Sequence, residues 1–283
     1  MSQNKIKNDV RQFYDQVGWR AVSEGVYQNA QYEDLRPVSR EYIHRCHMRI
    51  NRHIKKEGRF FLDAGSGPIQ YPEYLTYSEG YQYRVCLDIS IVALMDARNR
   101  IGAHGLLVVG DIAHLPFKED SFEGIVSLHT IHHLPPQDYL SAFLEINRVL
   151  ADDAAAVVVN GWDESALMRY FNPPIVLMEK LTNRGIHREA EENNAKPKAE
   201  KPQRTHVYKL TAEKLRLLMD GVIPVNIYVW RSASVRFLRA LIHPWLFGRI
   251  LLKILFFLEE TYPRYFGEKG QYPLITMAKT RRL

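Results

Sequence analysis

The chain has 283 residues, 46% of them hydrophobic, a formal net charge of +6 and a pI near 9.2. That length is enough to bury one large core or two small ones. Two cysteines, Cys46 and Cys86, are too few for a disulfide framework or a cysteine-based metal site, and they fit a reducing compartment. The opening MSQNKIKND is polar and has no apolar stretch behind it, so no signal peptide is indicated. The longest apolar run, WLFGRILLKILFFL at 245–258, contains Arg249 and Lys253 and is shorter than the roughly 20 residues that span a bilayer. The expectation is a cytoplasmic protein, soluble or peripheral to a membrane rather than integral.

In chain order, the first segment is aromatic: FYDQVGWR is followed by VYQNAQYEDLRPVSREY. Between Arg36 and Arg59, Tyr42, Cys46, Ile50 and Ile54 recur every fourth residue, which predicts a helix. Arg45, Arg49, Arg52, Lys56 and Arg59 follow at helical spacing on another face, and the reading is a solvated basic side or one that meets phosphate or lipid. RFFLD (59–63), YRVCLD (83–88), GLLVVGD (105–111), FEGIVSLH (122–129) and AAAVVVNGW (154–162) are the strand candidates. Several are unbroken apolar runs, as expected of strands covered on both faces. Helix-compatible segments lie between them, at 90–102 and 137–150. Strand and helix in alternation predict an α/β fold built on a doubly wound, mostly parallel sheet.

After residue 162 the rhythm changes. Residues 187–204, HREAEENNAKPKAEKPQR, are charged and nearly devoid of apolar side chains, which predicts a mobile surface insert. A helix follows with Thr211 as its candidate cap. VNIYVW (225–230) and YPLITMAKT (272–280) read as two final strands. The stretch between them is too long for a hairpin turn and holds the apolar, basic 245–258 run.

FLDAGSGP is a strand end followed by a glycine turn, the place where a doubly wound sheet opens its ligand crevice. Gly65 and Gly67 are suited to positive φ and to leaving backbone amides uncovered, and Pro68 suits the first turn of a helix. The next two strands also stop at carboxylates, so Asp63, Asp88 and Asp111 fall along one edge of a parallel sheet. Asp88 is placed to accept from both hydroxyls of a ribose, and Asp111 from an adenine amino group, with Ile89 and Ile112 against the base. A dinucleotide fingerprint needs a third glycine where Gln70 stands, and no Gly-Lys-Ser/Thr follows for a phosphate loop. A cofactor without phosphates fits better.

FLDAGSGP, VCLDIS, VVGDIAHLPFKEDSFEGIVSLHTIHHL and FLEINRVL, in that order, resemble a class I S-adenosylmethionine-dependent methyltransferase, and more narrowly the ubiquinone and menaquinone biosynthesis group. The resemblance covers about residues 58–162 and implies a Rossmann-like, seven-stranded sheet. It also implies an N-terminal helical lid (1–57), a cofactor-binding core (58–162) and a remainder (163–283) with a helical insert at 232–270. S-adenosylmethionine is the implied cofactor, held by Asp63, Gly65, Gly67, Asp88, Ile89, Asp111, Ile112 and Ser127. Arg36 resembles an arginine that pairs with the cofactor carboxylate, a place Arg40 also fits.

Methyl transfer depends on aligning the nucleophile with the methyl group, and a base helps where the nucleophile must lose a proton. SLHTIHHLP supplies His129, His132 and His133 just past the fourth strand. His129, His133 and Tyr14 are the catalytic candidates, and Tyr14, Trp19, Tyr27 and Tyr32 the candidates for a lid. No cysteine and few carboxylates accompany the histidines, so no metal is expected. The expected acceptor is a small or amphipathic molecule, lipid-like if the 245–258 helix meets a membrane surface, methylated at oxygen or carbon rather than nitrogen. Nucleic acid is disfavoured, because SLHTIHH stands where an Asn/Asp-Pro-Pro-aromatic signature would be. The alternative is a non-catalytic protein of this fold that binds RNA or membrane through its basic helix.

Overall fold

The structure is a computed structural model that describes residues 3–19, 21–23, 26–27, 33–181 and 205–279. The insert expected at 187–204 and Tyr32 lie outside the described residues, as does the side chain of Tyr27. Helix α1 (Gln3–Phe13) leads through a π-helical turn, Tyr14–Gly18, into a two-stranded ribbon of β1 (Ala21–Ser23) and β2 (Val26–Tyr27). Helix α2 (Arg40–Met48) then precedes the main sheet.

That sheet contains β3 (Gly58–Ala64), β4 (Tyr81–Asp88), β5 (Gly105–Val109), β6 (Phe122–Leu128), β7 (Leu150–Val159), β8 (Val225–Arg231) and β9 (Tyr272–Lys279). The spatial order is β5-β4-β3-β6-β7-β9-β8, and β9 alone runs antiparallel to its two neighbours. Each strand predicted from the apolar runs is present, within a few residues of its expected ends. The order reverses between β3 and β6, which opens a crevice at their carboxyl ends.

Successive residues of β3 point to opposite faces. Leu62 packs with Ala142, Phe143 and Ile146 of helix α4 (Tyr139–Val149), and Phe61 shares the other core with Leu94 and Ala97 of helix α3 (Ile91–Ile101). Ser90 starts α3 by accepting from the Ala93 amide at 3.1 Å. Beyond β7, the short α5 (Ala166–Tyr170) precedes α6 (Ala212–Met219), where the Thr211 hydroxyl accepts from the Lys214 amide. Helices α7 (Val235–Leu241), α8 (Gly248–Thr261) and α9 (Pro263–Lys269) fill the connection from β8 to β9.

Two expectations are corrected. The helix after the glycine turn does not start at Pro68: Ile69 takes a left-handed conformation, and a 3-10 helix runs from Pro72 to Ser78. The basic face between Arg36 and Arg59 is not a continuous stripe either. Helix α2 stops at Met48, a 3-10 turn covers Arg49–Arg52, and Arg59 belongs to β3. Arg49 is buried, ion-paired with Glu259 and Glu260 and donating to the Trp230 carbonyl at 2.7 Å. Tyr42 donates to Glu259 at 2.7 Å, and Arg45 lies over the Phe256 ring. The apolar side of α2 needs a partner and α8 supplies it, so cations read as solvated become part of that contact.

Candidate active site

The parallel register sets the site. Asp63 pairs with Cys86, two residues before Asp88, and Asp88 pairs with Val109, two residues before Asp111. The three carboxylates therefore step along one edge, and all of them line a single cavity of about 810 Å³. That size suits a cofactor together with a small substrate. Gly65, Gly67, Ile89, Ile112, His129, His133 and Tyr14 line the same cavity.

Gly65 and Gly67 have φ of 81° and 53°, values that carry a steric cost for other residues. A Cβ at Gly65 would collide with Thr130, and one at Gly67 would stand 2.8 Å from the Trp19 ring. The turn does not leave its amides free, contrary to expectation. Gly65 and Ser66 both donate to the Leu87 carbonyl, and Gly67 donates to Asp88 Oδ2 at 2.8 Å. What the glycines supply is a close approach to bare backbone.

The three carboxylates have different surroundings. Asp63 is buried in an ion pair with the fully buried Arg84, so it braces β3 against β4. Asp88 accepts from the amides of Gly67 and Ser90, and burial lifts its carboxyl to about 6 in spite of those two hydrogen bonds. Asp111 receives Lys7 of α1 at 2.5 Å and the Ala113 amide at 2.9 Å. Burial works against its ionisation, yet these donors hold its carboxyl below the ordinary value.

The N-terminal segment lies across this edge. Lys7 also reaches Asp138 at 2.5 Å, and Ser90 donates to Asp15 at 2.5 Å. Tyr14 and Trp19 stack with ring centroids 5.1 Å apart, and Trp19 covers Gly67. Tyr14 donates from its hydroxyl to Nε2 of His133 at 2.7 Å. Nδ1 of His133 faces the His206 carbonyl at 2.8 Å, so Nδ1 carries the proton and Nε2 is left as the acceptor. Burial holds this ring neutral, with its pKa down to about 4.

His129 follows the last residue of β6, with φ of 57° and its amide on the Val159 carbonyl. Its ring meets Trp230 and Tyr272 edge to face. Burial first, and then the nearby Arg231 charge, push its pKa down to about 3, so it too is neutral. His132 is buried against Asn160. The sequence reading missed Glu33, Lys209, Arg231, Arg239 and Tyr272, which also line the cavity. One signal was available for two of them. Arg231 closes β8, and because β9 is antiparallel its first residue, Tyr272, reaches the edge where the other strands end.

Two predicted site residues are not part of the cavity wall. Arg36 turns its guanidinium to the Asp34 carboxylate at 2.8 Å and to the Leu238 carbonyl at 2.7 Å. A carboxylate two residues away in sequence captures it. Ser127 lies within β6, fully buried, with no hydrogen bond to its hydroxyl among the described residues. It sits one residue short of the strand end that faces the crevice.

Residues 62–158 match the family described as "Methyltransferase domain". No curated protein sequence matches the chain. Among solved structures, the chain is similar to the YcgJ protein from Bacillus subtilis, with 14% identity over 84% of this chain and 99% of that one, at a TM-score of 0.51. Phosphoethanolamine N-methyltransferase 1 of Haemonchus contortus, solved with phosphoethanolamine and S-adenosylhomocysteine, is 12% identical at a TM-score of 0.56. That match covers 99% of this chain and 50% of the other. The [4+2]-cyclase SpnF is 16% identical at a TM-score of 0.53, covering 97% of both chains. One of these names describes a cyclase, so the shared fold does not by itself fix the reaction, and the site must carry the argument. Residues 62–158 thus match a methyltransferase domain in sequence and lie within a Rossmann-like, seven-stranded sheet, and S-adenosylmethionine is the cofactor that such a domain takes.

Proposed function

We propose that this protein is an S-adenosylmethionine-dependent methyltransferase acting on a small or amphipathic acceptor, at oxygen or carbon. One observation carries the reading. Asp63, Asp88 and Asp111 stand around a single cavity that also contains the Tyr14–His133 pair. The residues fit the cofactor. Neither glycine has room for a Cβ, which would meet Thr130 at Gly65 and the Trp19 ring at Gly67, and the carboxylates on this edge suit a ligand with a positive charge. Asp88 keeps a lone pair on each oxygen for a ribose hydroxyl after accepting from Ser90 and Gly67. Asp111 offers its carboxylate to an adenine amino group, with Ile89 and Ile112 beside it.

When bound, the cofactor supplies an electrophilic methyl group on a sulfonium. The chain's own residues align the acceptor and handle its proton. Tyr14 is placed to take a proton on its hydroxyl oxygen while passing its own to His133 Nε2, and the His206 carbonyl holds Nδ1–H in place. A base is needed when the nucleophile is a hydroxyl or an enolisable carbon. An amine attacks through a free lone pair, and for this reason oxygen or carbon is the better assignment. His129, neutral and held by two aromatic rings, orients the acceptor.

Helix α8 supports contact with a membrane surface. Ile250, Leu251, Ile254, Phe257 and Leu258 are exposed on it, as are Trp245 and Phe247 just before it. Arg249 and Lys253 accompany them in reach of anionic headgroups. No helix among the described residues is long and apolar enough to cross a membrane.

The test is incubation of the purified protein with isotopically methyl-labelled S-adenosylmethionine and an extract of small molecules and lipids. A labelled product that appears only with active protein supports the assignment. Failure to bind S-adenosylhomocysteine in calorimetry would remove it.

A further inference from the structure

The charges around the cavity are divided along the sheet edge. Asp63, Asp88 and Asp111 belong to the ends of β3, β4 and to the loop after β5. On the β9-β8 half, the charged lining residues among those described are Lys209, Arg231 and Arg239, against a single carboxylate, Glu33. Carboxylates are in excess on one half and cations on the other.

Part of the cationic set is used structurally. Arg231 forms a buried ion pair with Glu33, and Arg239 donates to the Glu33 carbonyl at 2.8 Å. Two features are left over. The Nε–H of Arg231, a residue only 1% exposed, has no hydrogen-bond partner among the described residues. Lys209 is half-buried, forms no hydrogen bond or ion pair with a described residue, and has its ammonium 3.3 Å from where a Cβ on Gly161 would stand. Lys209 lines the cavity together with His129, His132 and His133, and its charge opposes their protonation. Burial lowers the Lys209 pKa, and the Asp163 carboxylate only partly opposes it. A buried N–H without an acceptor and a lysine held partly out of water are both relieved by an anion.

We infer that the methyl acceptor carries an anionic oxygen group, a carboxylate or a phosphate, which docks on Lys209 and the Arg231–Arg239 side of the cavity. The group is a recognition handle and not the atom that receives the methyl. The inference rests on the methyltransferase reading and narrows it to an acid-bearing acceptor. It also gives the two halves of the cavity distinct partners, a cationic donor on the aspartate half and an anionic acceptor on the arginine–lysine half.

The experiment uses the full chain saturated with S-adenosylhomocysteine, titrated in calorimetry with benzoate, with inorganic phosphate and with benzylamine. Benzoate or phosphate is expected to bind and benzylamine is not, and the preferred anion identifies the head group. Lys209→Met should weaken the anion by at least about tenfold, while Lys209→Arg, which keeps the charge, should restore most of the affinity. S-adenosylhomocysteine affinity should be unchanged in both variants. Normal S-adenosylhomocysteine binding with no anion binding overturns the inference alone. So does tighter binding of benzylamine, or a Lys209→Met variant that binds the anion as wild type does. Loss of S-adenosylhomocysteine binding by the wild type strikes the methyltransferase reading itself.

Discussion

Asp88 offers the sharpest test of the cofactor assignment, because its ionisation falls in an accessible pH range. Burial raises its carboxyl to about 6, and ribose hydroxyls donate to the ionised form. A ligand that binds the carboxylate must therefore lose affinity as the pH falls through about 6. With that pKa, roughly a tenth of the protein is ionised at pH 5, so the apparent Kd for S-adenosylhomocysteine should rise about tenfold between pH 7 and pH 5. His129 and His133 are held neutral, with pKa values of about 3 and 4, and Asp111 is held below the usual carboxylate value. Asp88→Ala should weaken binding by roughly 1.5–3 kcal/mol, about ten- to a hundredfold, and flatten the pH dependence. Calorimetry at half-unit steps from pH 5 to 8 reads both effects. A wild-type affinity that is flat across the range, or a variant that retains the slope, would refute the ribose assignment.

Three further outcomes are expected. Tyr14→Phe removes only the hydroxyl that meets His133, so kcat should fall by about a hundredfold or more while S-adenosylhomocysteine affinity stays close to wild type; equal turnover would exclude the pair as the proton acceptor. Arg84→Met leaves the buried Asp63 carboxylate unpaired and should cost about 3–5 kcal/mol in urea denaturation, with much of that recovered on adding Asp63→Asn. Placing aspartate at both Ile250 and Phe257 should reduce sedimentation with anionic vesicles without altering the far-ultraviolet circular dichroism, and unchanged sedimentation would reject the lipid contact.

The aspartate half of the cavity was legible because it is built from strand ends. Apolar runs stopping at Asp63, Asp88 and Asp111 report position along a parallel sheet, and parallel register turns those positions into a common edge. The half lined by Lys209, Arg231 and Arg239 was not legible in the same way. Glu33 and Arg231 are separated by 198 residues and meet only because the segment before α2 packs beside the end of β8. Tyr14 and His133 were each singled out, but 119 residues separate them, and no local pattern announces that their side chains touch. Arg36 shows the converse: its sequence context suggested a ligand contact, and a neighbouring carboxylate took it first.

Taken alone, the order of residues determined what depends on short-range periodicity: the seven strands of the main sheet, helices α3 and α4 between them, the glycine turn and the carboxylates at or just past three strand ends. Tertiary packing decided what depends on which distant surfaces meet. It buried Arg49 under α8, laid Lys7 on Asp111, fixed the protonated nitrogen of His133, and gathered Lys209, Arg231 and Arg239 along one wall. Side-chain alternation is written into neighbouring residues, whereas the partner of a buried charge is set by burial energetics across the whole molecule.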